Sequence, residues 1–266
     1  MVYNTVYNTN EYGETIMMKS TQNMFWSDIH DITRFTENTE ENKQKQARKT
    51  SSIILAGIQL MENYLKGIKC LNAYDASSTI ISDANWIQKS TFNTFKDKSG
   101  NIIPVELGKT YYIDYGKTFY GELAYFHYGL CIGKKDKKIL VVPIRTGTDI
   151  FNTSYHPRNN PNANKKYRQD LQVEGFPKNC VLLINDLKYI SAGRIEKECA
   201  SIHKDILSEI QKQVFQVELP SLYTEYFGQQ KKLEKFQKQI SEQKELIQKL
   251  KNENNKLLNQ AKKIND

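Results

Sequence analysis

This chain is poor in the features that announce several protein classes. No stretch of its 266 residues approaches the run of about 18 apolar residues that a membrane-spanning helix needs, so no transmembrane helix is expected. The opening MVYNTVYNTNEYGET has neither a basic n-region nor an apolar h-region, and secretion by a standard signal is not expected either. Cysteine is scarce: Cys70, Cys131, Cys180 and Cys199 share no CxxC or metal-like spacing, and Cys131 and Cys180 sit inside apolar runs. They read as reduced core thiols of a cytoplasmic protein. Of the four histidines, His30, His156 and His203 show no ligand spacing, so no zinc site is expected.

Aromatic residues are plentiful. The 16 Tyr and 11 Phe argue against a wholly disordered chain, while a hydrophobic share of 39% and a mean hydropathy of −0.65 leave a sizeable part solvated. The length suits one large domain, or one domain with extensions. Lys and Arg number 38 against 30 Asp and Glu, and the net +8 favours a polyanionic partner, nucleic acid first. The charge is uneven. Residues 229–264 hold ten Lys against four Glu (+6), residues 104–200 hold fifteen Lys or Arg against ten Asp or Glu (+5), and the rest is slightly acidic.

Residues 1–38 are polar and aromatic without a sustained period, and the VYNT-VYNT echo is too short to be a structural repeat. Residues 40–66 read as a helix: Ala47, Ile54, Ile58, Met61 and Leu65 recur at helical spacing, and Gly67 is placed to end it. A second short helix is expected over 83–91 with Ser82-Asp83 as its cap, followed by a turn at KDKSGN (96–101). Residues 147–168 carry two prolines and many Asn, and read as a loop. NCVLLI (179–184) reads as a buried strand, which residues 186–190 continue or turn into a short helix. From Ser191 the pattern becomes helical, with Cys199, Ile202, Ile206, Ile210 and Val214 near one face, until Leu219-Pro220-Ser221 breaks it.

The tail is the clearest periodic object. With Leu233 at a, the a positions are Leu233, Ile240, Ile247, Asn254 and Ala261, and the d positions Phe236, Gln243, Leu250, Leu257 and Ile264. Strict seven-residue spacing predicts a coiled coil. Branched residues at a, Leu at d and one Asn at a favour a parallel homodimer, because facing Asn side chains pair only in register. A solvated helix packing back on its own domain is the plain alternative.

The chemistry concentrates in 107–147, LGKTYYIDYGKTFYGELAYFHYGLCIGKKDKKILVVPIRTG. Residues 110–115, 125–132 and 138–144 are rich in β-branched and aromatic side chains and are punctuated by Gly116, Gly121, Gly133 and the run at 134–136. They predict a compact, strongly bent antiparallel sheet. His127 and Arg145 fall within or at the end of strands, where a side chain is held in a fixed direction.

The order of features over about residues 104–217 resembles the PemK/MazF family of toxin ribonucleases. Gly108 precedes a strand ending in Asp114, then come the turn Gly121-Glu122, His127-Tyr128 opening an apolar strand, and Val142-Pro143-Ile144-Arg145-Thr146 ending the next. CVLLINDLKYISAGRIEK follows, with Ser191 and Arg194 in place. The resemblance implies an α+β domain built on an SH3-like small β-barrel that dimerises and cuts single-stranded RNA without metal or cofactor. It implies a toxin–antitoxin setting, in which an antitoxin protein or RNA occupies the groove between barrels. His127 stands where the family has a strand-opening Arg, and Arg145 where it has a Thr, with Thr146 one residue on. Such cleavage needs a base for the 2′-hydroxyl proton, an acid for the leaving 5′-oxygen, and positive charge on the phosphorane. His127 can serve as base or acid, Arg145 as a planar clamp on two phosphate oxygens, and Thr146 as a supporting donor. Glu122 reads as a turn carboxylate, structural or orienting His127 or Arg145.

HPRNNPNANKKYR (156–168) supplies Arg158, Lys165, Lys166 and Arg168 to follow a nucleic-acid backbone and Tyr167 to stack on a base; Arg194 joins them as an RNA-binding candidate. The expected organisation is an N-terminal helical extension (1–100), a barrel domain (104–217) and a coiled coil (229–266). Two rival readings use the same barrel: a non-catalytic nucleic-acid-binding module, and an assembly protein whose coiled coil is the working part.

Overall fold

The computed structural model describes residues 7–9, 15–17, 32–118 and 122–265, with side chains described over 32–118 and 122–255. His30, Gly121 and most of the VYNT echo lie outside the described residues, as do the side chains of Leu257, Ala261 and Ile264. The elements are β1 (Tyr7–Thr9), β2 (Thr15–Met17), α1 (Glu40–Gln44), α2 (Ser51–Lys69), α3 (Ala73–Lys89), β3 (Phe95–Lys96), β4 (Ile102–Ile103), β5 (Lys109–Asp114), β6 (Phe126–Lys135), β7 (Lys138–Arg145), α4 (Thr148–Thr153), β8 (Ser154–Tyr155), β9 (Asn164–Asp170), β10 (Cys180–Leu183), β11 (Lys188–Ser191), β12 (Ile195–Ser201), α5 (Lys204–Glu218) and α6 (Pro220–Asn265). The class is mixed α+β, ending in a long C-terminal helix. Two compact units divide the chain, 1–143 with 188–200 and 144–187 with 201–266, so segment 104–217 is shared between them.

In the first unit the expected helix over 40–66 is interrupted: α1 ends at Gln44, a 3-10 turn covers 47–49, and α2 runs on through Gly67 to Lys69. Only Ala56 of α2 is buried, and Ile54, Ile58, Met61 and Leu65 are exposed. The short helix expected over 83–91 is a 17-residue helix capped by Asn72, whose side chain accepts from Asp75 N at 2.9 Å. Ser82 and Asp83 lie inside it. The turn at 96–101 forms as expected: the Asp97 carboxylate accepts from Ser99 N and Asn101 N, closing β3 on β4.

The three strands of the 107–147 stretch form the centre of this unit. The path is β12-β5-β6-β7, with β11 on the far side of β7. Asp136, at φ 53°, makes the tight β6–β7 turn. Tyr111, Ile113, Cys131, Ile139, Val141, Ile190 and Ile195 point into one core. The edges of a flat five-stranded sheet lie about 19 Å apart at 4.8 Å per strand. Yet Ser191 ends one edge strand and Ile195 begins the other, four residue steps that span at most about 14 Å. The sheet must therefore curl. Among the described residues no ladder joins β11 to β12, so the curl stays open and is not a closed barrel.

In the second unit β10 pairs with Ile144 and Arg145 at the end of β7 and with β9, and β8 lies parallel to β9. The loop expected over 147–168 therefore contains α4 and most of a strand, because β10 offers NKKYRQD a free edge. The helix expected from Ser191 begins only at Lys204; IEKECAS (195–201) is a strand paired with β5. Ile206, Ile210 and Val214 do form the buried face of α5. Gly175, at φ 99°, accommodates the close approach of Ile202, whose Cα would stand 2.8 Å from an added Cβ.

Candidate functional site

The β5–β6 ladder sets the direction of His127. Its register partner is Ile113, a core residue, so the half-buried imidazole shares the sheet face of Ile113. Gly129 is the next residue on that face, and the Tyr115 hydroxyl lies over it, 2.3 Å from where a Cβ would stand. Lys188 Nζ sits 5.5 Å from the centre of the Tyr115 ring. A phenol thus stands one step along the strand from His127, with an ammonium over its ring, and neither residue is visible as a candidate in the sequence. The opposite face carries Tyr112 against Phe126 and Tyr128, with ring centres 5.9 and 5.1 Å apart, and Tyr128 is 41% exposed. Glu122 is exposed, and its backbone carbonyl accepts the Thr118 hydroxyl at 3.2 Å.

Asp114 and Arg194 meet at a cavity of about 430 Å³ between α3 and the sheet. The buried Asp114 carboxylate accepts from Ser82 Oγ (2.9 Å), Gly116 N (2.9 Å) and Asn85 Nδ2 (3.0 Å). Asn85 also reaches Glu196 (3.2 Å), which Lys89 holds at 2.6 Å. Arg194 donates to the Asp114 carbonyl at 3.1 Å and packs on Gly116, where an added Cβ would stand 3.0 Å from its guanidinium. Trp86 and Phe92 also line the opening. The sequence reading missed Asn85, Lys89 and Glu196. The signal was the spacing 82-85-89, one polar stripe on a helix.

The remaining candidates belong to the second unit. Arg145, the exposed last residue of β7, stands opposite Val181, and Thr146 follows, exposed. On β9, Lys166 is exposed and Tyr167 half-buried, while Lys165 donates to Gln216 at 3.0 Å and lies over the Tyr155 ring. Arg168 is 1% exposed. Its Nε donates to Asp170 (3.0 Å), and its terminal nitrogens to Gln213 and Glu209 (3.2 Å each). The helix α5 over this end of β9 buries it, and a buried guanidinium persists only when paired in this way. Burial pushes the Asp170 carboxyl up to about 8, against the pull of Arg168.

Arg158 is held by Glu174 at 3.2 Å, with most of its side chain in solvent. The same carboxylate faces His156, fully buried, at 3.3 Å. His156 Nδ1 accepts from Arg158 N and Asn159 N, which places the ring proton on Nε2 toward Glu174. This histidine pins the loop before β9.

The sequence-predicted residues thus divide between the units: Glu122, His127 and Arg194 in the first, Arg145, Thr146, Arg158, Lys165, Lys166, Tyr167 and Arg168 in the second. Among the described residues no cluster of His, Cys, Asp and Glu is arranged to hold a metal ion, and no helix is long and apolar enough to cross a membrane. No family model and no curated protein matches this chain.

Proposed function

We propose that this protein is a cytoplasmic endoribonuclease of toxin–antitoxin type that cleaves single-stranded RNA without metal. One observation carries the reading: His127 stands half-exposed in the β5–β6 ladder, one pair from its end, in a curled sheet whose order β12-β5-β6-β7-β11 fits a small SH3-like barrel of PemK/MazF kind. Only a histidine brings a proton acceptor that titrates near neutral pH to such a position.

His127 acts as general base, taking the proton of a ribose 2′-hydroxyl, or as general acid, giving one to the leaving 5′-oxygen, with water in the other role; the 2′-oxygen attacks the adjacent phosphorus and the bond to the 5′-oxygen breaks. The products are a 2′,3′-cyclic phosphate and a 5′-hydroxyl. In the second unit Arg145 and Thr146 offer donors to RNA phosphate oxygens, and Lys165, Lys166 and Tyr167 offer a basic and aromatic strand to the RNA chain. An antitoxin protein or RNA would compete for this surface. The test is incubation of purified protein with mixed RNA, analysing product ends, beside His127→Ala. Loss of an acid–base group lowers the rate about 10²–10⁴-fold; wild-type cleavage by the variant removes His127 from the mechanism.

The Tyr112–Phe126–Tyr128 cluster favours a second reading, a module that stacks bases without cutting. It would bind RNA with steep salt dependence and release no product.

A further inference from the structure

The helix α6 is 46 residues long, about 69 Å at 1.5 Å per residue. Its first turns are anchored on α5. Tyr223 and Tyr226 pack edge-on against Phe215 at 5.7 and 6.1 Å, Phe227 packs on both tyrosines, and Lys212 lies over the Phe227 ring at 4.7 Å. Beyond that cluster Leu233, Phe236, Ile240, Leu246, Ile247 and Leu250 are each half exposed, all on the a/d/g side of one heptad frame. Single helices in water owe their stability to packing of an apolar face, and here that face has no cover within the described chain.

We infer that this face is covered by a second copy of the same chain, in a parallel, in-register two-stranded coil. Asn254 selects the occupant. It stands at an a position, where its amide is buried in any coil, and an identical strand in parallel register sets the same amide opposite it. An antiparallel copy over 233–264 would set it against the longer Gln243 at d, where the two amides are unequal in length, and a strand of different sequence supplies a partner only by coincidence. Charge does not drive the pairing. The e and g positions carry Lys244, Lys251 and Glu253 among Gln and Leu, so the seam is held by its apolar core. Added salt therefore leaves the coil intact or tightens it.

Geometry then brings a functional consequence, which rests on the RNA reading above. The anchored end of α6, its neighbour α5, and β9 belong to one unit, and α5 holds β9 through Gln213 to the Lys165 carbonyl (2.8 Å) and Gln216 to Lys165 Nζ. A parallel coil places two such units at the same end, so two basic β9 strands present Lys166 and Tyr167 to one RNA. The second contact is then intramolecular, and long single strands bind more tightly than short ones by avidity.

The test uses the full-length protein with Cys70→Ser and Cys199→Ser as background. Phe236→Cys, near the start of the seam, cross-links to itself under mild oxidation if the strands run parallel in register. In an antiparallel coil over 233–264 it faces residue 261, about 38 Å away along the axis from its own copy, and does not cross-link. Light scattering gives twice the mass of one chain, and Ile240→Lys with Ile247→Lys restores single-chain mass with the far-UV spectrum of unit elements retained. A monomeric wild type, or a dimer without the Phe236→Cys cross-link, overturns the proposal whatever the protein does to RNA. A cross-linked dimer that binds a 40-nucleotide strand no more than twofold better than the double-lysine monomer does overturns the avidity claim alone; the expected gain is tenfold or greater.

Discussion

Replacing Arg168 by Met removes the guanidinium while keeping most of the side chain's length and apolar volume. Three acceptors lose their donor: Asp170 and Gln213, both buried, and Glu209, which is half exposed and rehydrates. An orphaned buried acceptor costs about 1–3 kcal/mol, and Met recovers part of this by filling the space, so the net loss is about 3 kcal/mol at neutral pH. The pH dependence follows from Asp170, whose carboxyl moves from 3.8 up to about 8 on burial. Between those values the unfolded chain has released the proton and the folded chain still holds it. This group therefore lowers stability as pH rises through the window, by at most about 1.4 kcal/mol per pH unit. In the wild type the decline ends near pH 8, where Asp170 ionises beside Arg168. Without the guanidinium the carboxyl is pushed higher still, the decline continues, and the gap to wild type widens above pH 8. Urea unfolding followed by far-UV circular dichroism reads this as a midpoint lowered by roughly 1–3 M at pH 7, given an m-value of about 1–3 kcal/mol/M, and lowered further at pH 9. RNA affinity of the folded variant, and its salt slope, stay at wild-type values, whereas Lys166→Ala lowers the slope by about one charge and leaves the midpoint alone. A variant with the wild-type midpoint at both pH values and weakened RNA binding would refute the structural role given to Arg168.

Gly129→Ala drives a methyl to 2.3 Å from the Tyr115 hydroxyl and 2.9 Å from Ile113 Cδ1, and destabilises by about 1–3 kcal/mol as overpacking does. Tyr115→Phe in the same chain removes the nearer clashing atom and recovers part of that loss, which a double-mutant cycle on thermal unfolding measures; strict additivity would show that the two residues do not touch. Burial raises the thiols of Cys131, to about 11, and of Cys180, while Cys70 is exposed. Iodoacetamide at pH 8 therefore labels Cys70 within minutes and reaches Cys131 and Cys180 only after denaturation, as peptide mass spectrometry reads; rapid labelling of Cys131 in the native protein would contradict the packing of β6.

Strands β5, β6, β7 and β10 were legible because each is a run of β-branched and aromatic residues with turn residues at its ends, and both signals are local. The turn at 96–101 was legible for the same reason, since Asp97 caps its own loop. IEKECAS was misread because Cys199 happens to continue the helical spacing of Ile202, Ile206 and Ile210. What makes it a strand is β5, some 90 residues earlier in the chain, tied to it by the Thr110 hydroxyl and Ala200 at 3.0 and 3.1 Å. In NKKYRQD the prolines and asparagines just upstream suggested a loop, and the ladder that overrides them is supplied by β10. The candidate site divides in the same way: His127 stood out as the histidine among strand residues, whereas Tyr115, Lys188 and the Asn85–Glu196–Lys89 chain are brought together only by folding.

Composition and periodicity by themselves determined that the chain holds a bent antiparallel sheet and a long heptad helix, because both patterns repeat within a few residues and need no distant partner to be read. Whether a charged side chain faces solvent or a buried counter-ion is a different kind of fact. Arg168 and Lys166 are two residues apart on one strand, equally basic on paper, and only the docking of α5 over β9 made one of them a buried, hydrogen-bonded guanidinium and left the other in water. Tertiary structure decided it, since the cost of burying a guanidinium depends on acceptors that arrive from more than 40 residues away in the chain.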